Sequence, residues 1–264
     1  MRNNLLSYMT NVGASLRRLC RNTIGIVCLA GILIGLLLAQ QGAVDVRPSA
    51  TMDSDPPDPA LVPVSEDPHL PRVLIIGDSI SMGYIWEVRS LLAGKANVQH
   101  PDVNCGSTAF GVQRVKQWIG EKHWDVIYLN FGLHDLKYLD EEGRYVTPDK
   151  GKQVTPVKQY QANLRKIIAI LQNTGAKLIF ATTTPVPNGA TGRVHGDETR
   201  YNTAAKEVMQ EMGVEVDDLW NVVNPSPATL QLPHNVHFTV EGYRVLGAEA
   251  ASRIERDLPA VGRP

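Results

Sequence analysis

Short apolar runs alternate with segments of helical spacing from Arg72 onward, and this order limits the fold more than any other feature of the chain. Each run has the length of a buried strand. The predicted strands are residues 73–76, Val98 with its neighbours, 126–129, 178–181 and 214–216. Repeated strand-then-helix order predicts a parallel sheet with helices on both faces, which is a three-layer α/β/α fold.

The segments between the runs place apolar residues on one face of a helix. These stripes are Tyr84, Val88, Leu91 and Leu92; Tyr160, Leu164, Ile167, Ile168 and Leu171; and Tyr201, Ala204, Ala205, Val208 and Met212. A last helix is predicted to begin near Thr239. Ligands of parallel sheets bind outside the carboxyl ends of the strands, so we expect the chemistry directly after the apolar runs.

The N-terminus has the pattern of a membrane-inserting segment. Arginine occurs four times in the first 21 residues, with no acidic residue, and residues 24–39 form an uncharged run. Residues 1–43 are therefore predicted to be a signal peptide or a single N-terminal membrane anchor. Because arginine clusters before the apolar run, the rest of the chain is predicted to be extracytoplasmic, whether secreted, periplasmic or tethered to a membrane.

Residues 44–71 are rich in proline and aspartate and lack apolar periodicity, so they are predicted to form an extended linker. The folded domain is predicted to span residues 72–264. The formal net charge of the chain is −1, which argues against a nucleic-acid partner. Of the three cysteines, Cys105 alone lies in the predicted domain, too few there for a disulfide framework or a cysteine-based zinc site.

A serine follows the first predicted strand. The strand runs into Gly77-Asp78-Ser79-Ile80, and a serine at a strand-to-helix turn has its hydroxyl at the rim of the sheet, where a nucleophile belongs. Serine and aspartate are also favoured helix caps, so capping is the alternative interpretation of the same residues.

A histidine stands just before the last predicted helix. His237 lies in a loop, and a histidine so placed can act as general base toward a serine. With Ser79 at the first strand and His237 before the last helix, the chain resembles the SGNH or GDSL hydrolase superfamily. Residues 77–80 resemble its first block, with Ile80 for the usual leucine, and His237 with Gly242 and its neighbour resembles its last block. The resemblance implies a flavodoxin-like parallel sheet, Ser79 as nucleophile, His237 as base, and no cofactor.

The resemblance also implies an oxyanion hole. In the superfamily it combines the backbone N–H of the nucleophile, that of a glycine after the second strand, and an asparagine side chain after the third. The corresponding residues here are Ser79, Gly106, with Asn104 as a lesser candidate, and His134. His134 replaces the asparagine, and an imidazole N–H can donate to an oxyanion as a carboxamide does.

A second departure concerns the acid that orients the base. The superfamily has an aspartate three residues before the histidine, and this chain has His234 there. Loss of such an acid costs on the order of 10⁴ in rate when the histidine is left in the wrong tautomer. A backbone carbonyl, the side-chain oxygen of Asn235 or an acid from elsewhere can hold His237, and the sequence leaves these three open.

Two other kinds of site use the same residues. His234, His237, His134 and Asp135 can in principle form a metal site, but a His-x-x-His pair outside a helix has no fixed geometry, and we expect no metal. Cys105 is a second candidate nucleophile. It lacks a basic neighbour in sequence and is expected to be a small buried thiol.

Two long polar loops are predicted at the ligand edge, residues 139–156 and 185–199. Neither has an apolar stretch that would cover a fatty-acid tunnel, which favours a short acyl group on a polar carrier. The sequence therefore predicts an exported serine esterase that removes a short acyl group, expected to be acetyl, from a saccharide or another small molecule. Two alternatives share the fold: a non-catalytic carbohydrate-binding module, and an acyltransferase that uses the same residues.

Overall fold

A computed structural model describes residues 61–62 and 64–260 of the chain. The predicted N-terminal segment, residues 1–43, and most of the predicted linker lie outside these residues. Within the described part, no helix is both long and apolar enough to cross a membrane.

Within residues 61–62 and 64–260, seven strands form two sheets. They are β1 (Arg72–Ile76), β2 (Asn97–Gln99), β3 (Val126–Asn130), β4 (Tyr138–Leu139), β5 (Lys152–Gln153), β6 (Lys177–Ala181) and β7 (Glu215–Asp217). The central sheet is wholly parallel, in the order β2-β1-β3-β6-β7, and its five strands are those that the sequence predicts. This is the order of a flavodoxin-like sheet, so the predicted fold is confirmed. The remaining two strands pair as a small antiparallel hairpin.

Seven helices accompany the strands in the part of the chain that the structure describes. They are α1 (Ser79–Leu91), α2 (Thr108–Ile119), α3 (Val157–Gln172), α4 (Glu198–Met212), α5 (Leu219–Val223), α6 (Pro227–Leu230) and α7 (Val240–Asp257). Helix α1 packs against α7, while α2, α3 and α4 pack side by side. Together they form the outer layers of the three-layer fold. Because both faces of the sheet are covered, every residue of β3 is buried, which explains why the inner strands β1, β3 and β6 have continuous apolar runs.

Helix α2 and residue Leu91 differ from the sequence prediction. Helix α2 was not predicted, because the residues that it buries are Thr108, Gly111 and Val115, a face with little apolar periodicity. Gly111 instead allows a close approach, since a Cβ there would lie 2.9 Å from the ring of Phe131. Leu91 was assigned to the buried face of α1 but is 43% exposed, because it is the last residue of that helix and Leu92 takes the buried position.

The end of the predicted linker lies against β2. The backbone N–H of Asp67 donates to Asn97 Oδ1 at 2.8 Å, and Asn97 Nδ2 donates to the carbonyls of Asp67 and Leu70 at 2.8 and 3.1 Å. Glu66 also pairs with Arg72 at 2.7 Å. The buried Asn97 thus satisfies the polar groups of this segment, and the packed part of the chain begins before Arg72.

Two valines test how much the sheet stabilises the fold. Val126 in β3 is fully buried, whereas Val240 at the start of α7 is 73% exposed. We expect Val126→Ala to lower the free energy of unfolding by about 2 kcal/mol, through lost burial and the cavity left behind. Val240→Ala deletes the same atoms and should change it by less than about 0.5 kcal/mol. Urea denaturation measures both, and equal effects would contradict the assignment of Val126 to the core.

Candidate active site

The carboxyl edge of the sheet brings two polar turns together. Strands β1 and β3 pair in parallel, with Ile76 opposite Leu129, so the turns that follow them are neighbours. Gly77 follows β1, and a Cβ there would lie 2.7 Å from Ser81 Oγ, so the turn needs a glycine. Ser79 and His134 follow the two strands and both line one cavity at this edge.

Ser79 is the first residue of α1 but does not cap it. Asp78 is the cap, and its carboxylate accepts the backbone N–H of Ile80 at 3.0 Å. The hydroxyl of Ser79 lies 2.9 Å from His237 Nε2 instead. Asp78 therefore has the capping role, and the hydroxyl of Ser79 remains available to a substrate in the cavity.

Asn235 decides which nitrogen of His237 bears the proton. Its Oδ1 accepts the backbone N–H of His237 at 3.0 Å, which identifies that atom as the oxygen of the amide. The same Oδ1 lies 2.8 Å from His237 Nδ1, so Nδ1 carries the hydrogen. In the neutral ring, Nε2 then has a free lone pair facing Ser79 Oγ. Of the three groups left open by the sequence, the side-chain oxygen of Asn235 is the one that holds the base.

His234 does not take the place of the missing acid. Its Nδ1 lies 2.8 Å from the carbonyl of Asn188, and its backbone has a φ of +57°, in the left-handed region. Gly189 permits this contact, because a Cβ there would lie 2.8 Å from His234 Nδ1. His234 thus joins two loops at the rim of the cavity.

The tautomer of His134 is also fixed by a neighbour. Lys137 Nζ lies 3.3 Å from His134 Nδ1, and an ammonium group has only donors, so Nδ1 accepts and Nε2 carries the hydrogen. Burial lowers the pKa of His134 to about 3, with further contributions from Lys137, Arg193 and His237. The ring is therefore neutral and donates an N–H at any physiological pH. Like an asparagine side chain, it does not change its charge in that range.

Gly106 and Asn104 share a hydrogen bond. The backbone N–H of Gly106 donates to Asn104 Oδ1 at 3.0 Å, and Gly106 adopts a positive φ of 62°. A Cβ on Gly106 would lie 4.0 Å from His134 Nδ1, so this turn faces the one that follows β3. Because Oδ1 is engaged, Asn104 keeps its NH₂ group for the cavity that it lines.

The groups of the metal alternative do not converge. Asp135 is fully buried and turned toward α2, where it accepts the backbone N–H of Thr108 at 3.0 Å and its hydroxyl at 2.5 Å. Burial raises the pKa of Asp135 to about 7. In the part of the chain that the structure describes, no three His, Cys, Asp or Glu side chains are grouped to hold a metal ion.

Cys105 has the environment expected of a structural thiol. It is fully buried, and burial raises the pKa of its thiol to about 12. A second serine–histidine contact, between Ser81 Oγ and His100 Nε2 at 2.9 Å, is also sealed from the cavity, because Ser81 is 1% exposed. Neither Cys105 nor Ser81 can therefore reach a substrate as a nucleophile.

Both predicted loops contribute to the cavity, which has a volume of about 450 Å³. Tyr145 comes from the first loop, and Ala190, Thr191 and Arg193 come from the second. Burial lowers the pKa of His237, and the charge of Arg193 lowers it further. No sequence pattern marks Lys137 or Tyr145, and Arg193 is recognisable only as part of a long loop, because the approach of these residues to the site depends on how the loops fold.

The sequence comparison decides the family. The model of the GDSL-like lipase/acylhydrolase family matches residues 75–245. The chain belongs to this family. No curated protein matches it in sequence.

Solved structures similar to this GDSL-like family member share its fold at low identity. One is a lipase/acylhydrolase from Enterococcus faecalis, with a TM-score of 0.60 and 20% identity over 74% of this chain and 100% of the other. An acetyl xylan esterase, AlAXEase, has a TM-score of 0.57 and 16% identity over 69% and 99%. An acetylxylan esterase from Geobacillus stearothermophilus has a TM-score of 0.56 and 19% identity over 70% and 94%.

The contact between Asn235 and His237 predicts how readily Ser79 reacts. We expect Asn235→Ala to slow labelling of Ser79 by a fluorophosphonate by on the order of 10²-fold, because the ring of His237 loses the acceptor that fixes its tautomer. Asn235→Asp keeps the acceptor and should keep the rate. It should also raise the pKa of His237, which moves the acid limb of the labelling rate to higher pH. Labelling of Asn235→Ala at the native rate would contradict this role.

Proposed function

We propose that this chain is a serine esterase that hydrolyses short acyl esters, with Ser79 as nucleophile and His237 as general base. The observation that carries the proposal is the 2.9 Å contact between Ser79 Oγ and a His237 Nε2 that bears no proton. Membership of the GDSL-like lipase/acylhydrolase family supports a hydrolase that acts on esters.

The proposed reaction has two halves. His237 Nε2 takes the proton of the Ser79 hydroxyl as Oγ attacks the ester carbonyl, and it then gives that proton to the leaving alcohol. Water, activated by the same nitrogen, attacks the acyl-enzyme, releases the acid and restores Ser79. Because the pKa of His237 is below its ordinary value, the ring is neutral and ready to act as a base at pH 7.

The oxyanion hole of this proposal combines the backbone N–H groups of Ser79 and Gly106 with the Nε2–H of His134. The N–H of Gly106 donates to Asn104 Oδ1 in the structure, so it can serve an oxyanion only as a shared donor, and we add the NH₂ group of Asn104 as a second donor from the same turn. Lys137 and Arg193 place positive charge near His134 and His237, which also favours a developing negative charge.

The substrate is proposed to be an acetyl ester on a saccharide. Two of the similar structures are named acetyl xylan esterases, and the cavity is lined mainly by polar side chains. The N-terminal pattern of residues 1–43 supports export or a membrane tether. An acyltransferase would use the same residues, and the choice between water and a sugar as acceptor is measured directly by product analysis. A binding module without catalysis is disfavoured by the free lone pair of His237 toward Ser79.

Replacement of the nucleophile tests the proposal. We expect Ser79→Ala to abolish hydrolysis of p-nitrophenyl acetate and labelling by a fluorophosphonate, since no other described serine has a histidine base at the cavity. The half-buried hydroxyl contributes little to packing, so the variant should unfold at the urea concentration of the wild type. A folded Ser79→Ala with full activity would exclude Ser79 as nucleophile.

His134 is tested by its predicted equivalence to asparagine. We expect His134→Ala to lower kcat by roughly 10² or more, the usual effect of losing one oxyanion donor, whereas His134→Asn should retain much of the activity. The KM should change less than kcat, because the donor acts mainly in the transition state. If all three proteins had equal kcat, His134 would serve packing alone.

A further inference from the structure

Two cationic side chains approach the cavity without a carboxylate partner. Among the described residues, no acidic oxygen lies within 4 Å of Arg193 or Lys137, whereas Arg165 and Lys206 on the outer surface pair with acids at 2.7 Å. Arg193 donates from Nε to the carbonyl of Leu133 at 3.0 Å and from Nη1 to a second carbonyl at 3.3 Å. A guanidinium has five N–H groups, so donors remain on its terminal nitrogens.

Tyr145 lies close to both cationic side chains, Lys137 and Arg193. Lys137 Nζ lies 5.0 Å from the centroid of the Tyr145 ring, and Arg193 Cζ lies 5.7 Å from it. Lys137 Nζ is also 3.3 Å from the Tyr145 hydroxyl. The two loops are joined here, because the N–H of Tyr138 donates to the carbonyl of Gly192 at 2.7 Å. Tyr145 and Arg193 of the cavity wall are therefore fixed together with Lys137, and the two positive charges lie against the same ring.

The positive charge reaches the reacting groups. It contributes to the low pKa of His134 and of His237, after burial. The acidic residue that lines the cavity is Asp78, which is fully buried and bound to the N–H of Ile80. Burial raises its pKa to about 6, so it balances at most one of the two cations. The cavity keeps positive charge that its own residues do not neutralise.

We propose that this cavity selects esters that carry a carboxylate or another oxyanion close to the scissile bond, with Arg193 of the cavity wall as the anion-binding residue and Lys137, which contacts His134 and Tyr145, as a second positive charge. The inference rests on the proposed esterase function and narrows its substrate class. Arginine binds a carboxylate through paired N–H donors, and lysine adds a point charge. The positive charge near His237 disfavours the protonated imidazolium that this residue forms during the reaction. A bound anionic ester offsets that charge, so the preference for anionic esters should appear in kcat/KM.

Matched ester pairs test the proposal in the full chain. The first pair places the charge in the acyl part: p-nitrophenyl hemiglutarate against p-nitrophenyl valerate. The second places it in the alcohol part: 4-acetoxybenzoate against 4-acetoxybenzamide. The spontaneous rate is measured with Ser79→Ala and subtracted. We expect the anionic member of at least one pair to have a kcat/KM about tenfold higher, and the pair that shows it identifies the side of the ester that faces Arg193.

Variants assign the preference to Arg193. Arg193→Gln should reduce the ratio within the responsive pair from about ten to about one, and Arg193→Lys should retain most of it because the charge remains. The matched control is Arg114→Gln, which removes a charge from an exposed residue of α2 and should leave the ratio unchanged. Using a ratio separates anion binding from any general loss of activity. Added salt should lower the ratio in the wild type.

The outcomes are distinguishable. If neutral esters are cleaved and both ratios are one or less in the wild type, the anion site is wrong and the esterase function stands. The anion site is also wrong if Arg193→Gln keeps the tenfold ratio. If the wild type cleaves no ester and Ser79 is not labelled by a fluorophosphonate, the proposed function itself fails.

Discussion

The parallel pairing of β1 with β3 determines where the polar groups of this protein meet. Parallel strands end at the same edge, so the turn with Ser79 and the turn with His134 lie side by side although 55 positions separate them in the chain. A buried carboxylate reinforces this arrangement, because Asp135 caps the N-terminus of α2 through Thr108 and so fixes the turn that carries His134. The positions of Ser79 and His134 therefore follow from the backbone of the sheet, whereas His237 comes from the loop between α6 and α7.

Two neutral side chains, Asn235 and His134, have the roles that an aspartate and an asparagine have in the superfamily. The amide oxygen of Asn235 holds the Nδ1–H of His237, and the neutral ring of His134 is oriented by Lys137. An amide stabilises an imidazolium less than a carboxylate does, and nearby cations oppose it further. The site is therefore more positive than one with an aspartate behind the base, and this electrostatic difference connects the departures from the superfamily pattern with the proposed preference for anionic esters.

Strands and helices with a strong hydrophobic pattern could be predicted from the sequence, and those with a weak pattern could not. The three inner strands β1, β3 and β6 contain continuous apolar runs because both faces are covered, so their positions could be recognised from the local sequence alone. Helix α2 buries Thr108, Gly111 and Val115, which provide no apolar stripe to detect. Strands β4 and β5 have two residues each and depend on contacts with the neighbouring loop, so no local pattern marks them.

The sequence by itself determined the five strands of the parallel sheet, the helical stripes of α1, α3, α4 and α7, and the candidate residues Ser79 and His237. These follow from hydrophobic periodicity and from short motifs, which are local properties of the chain, whereas Gly106 and His134 follow from the resemblance to the SGNH or GDSL superfamily. Tertiary structure alone decided that Asn235 rather than position 234 holds the base, that Lys137 fixes the tautomer of His134, and that Arg193 reaches the cavity. Those contacts depend on backbone φ angles and loop paths. His234, for example, has a left-handed backbone conformation and its ring contacts the carbonyl of Asn188. The direction of a side chain in a loop is set by packing and not by spacing along the chain.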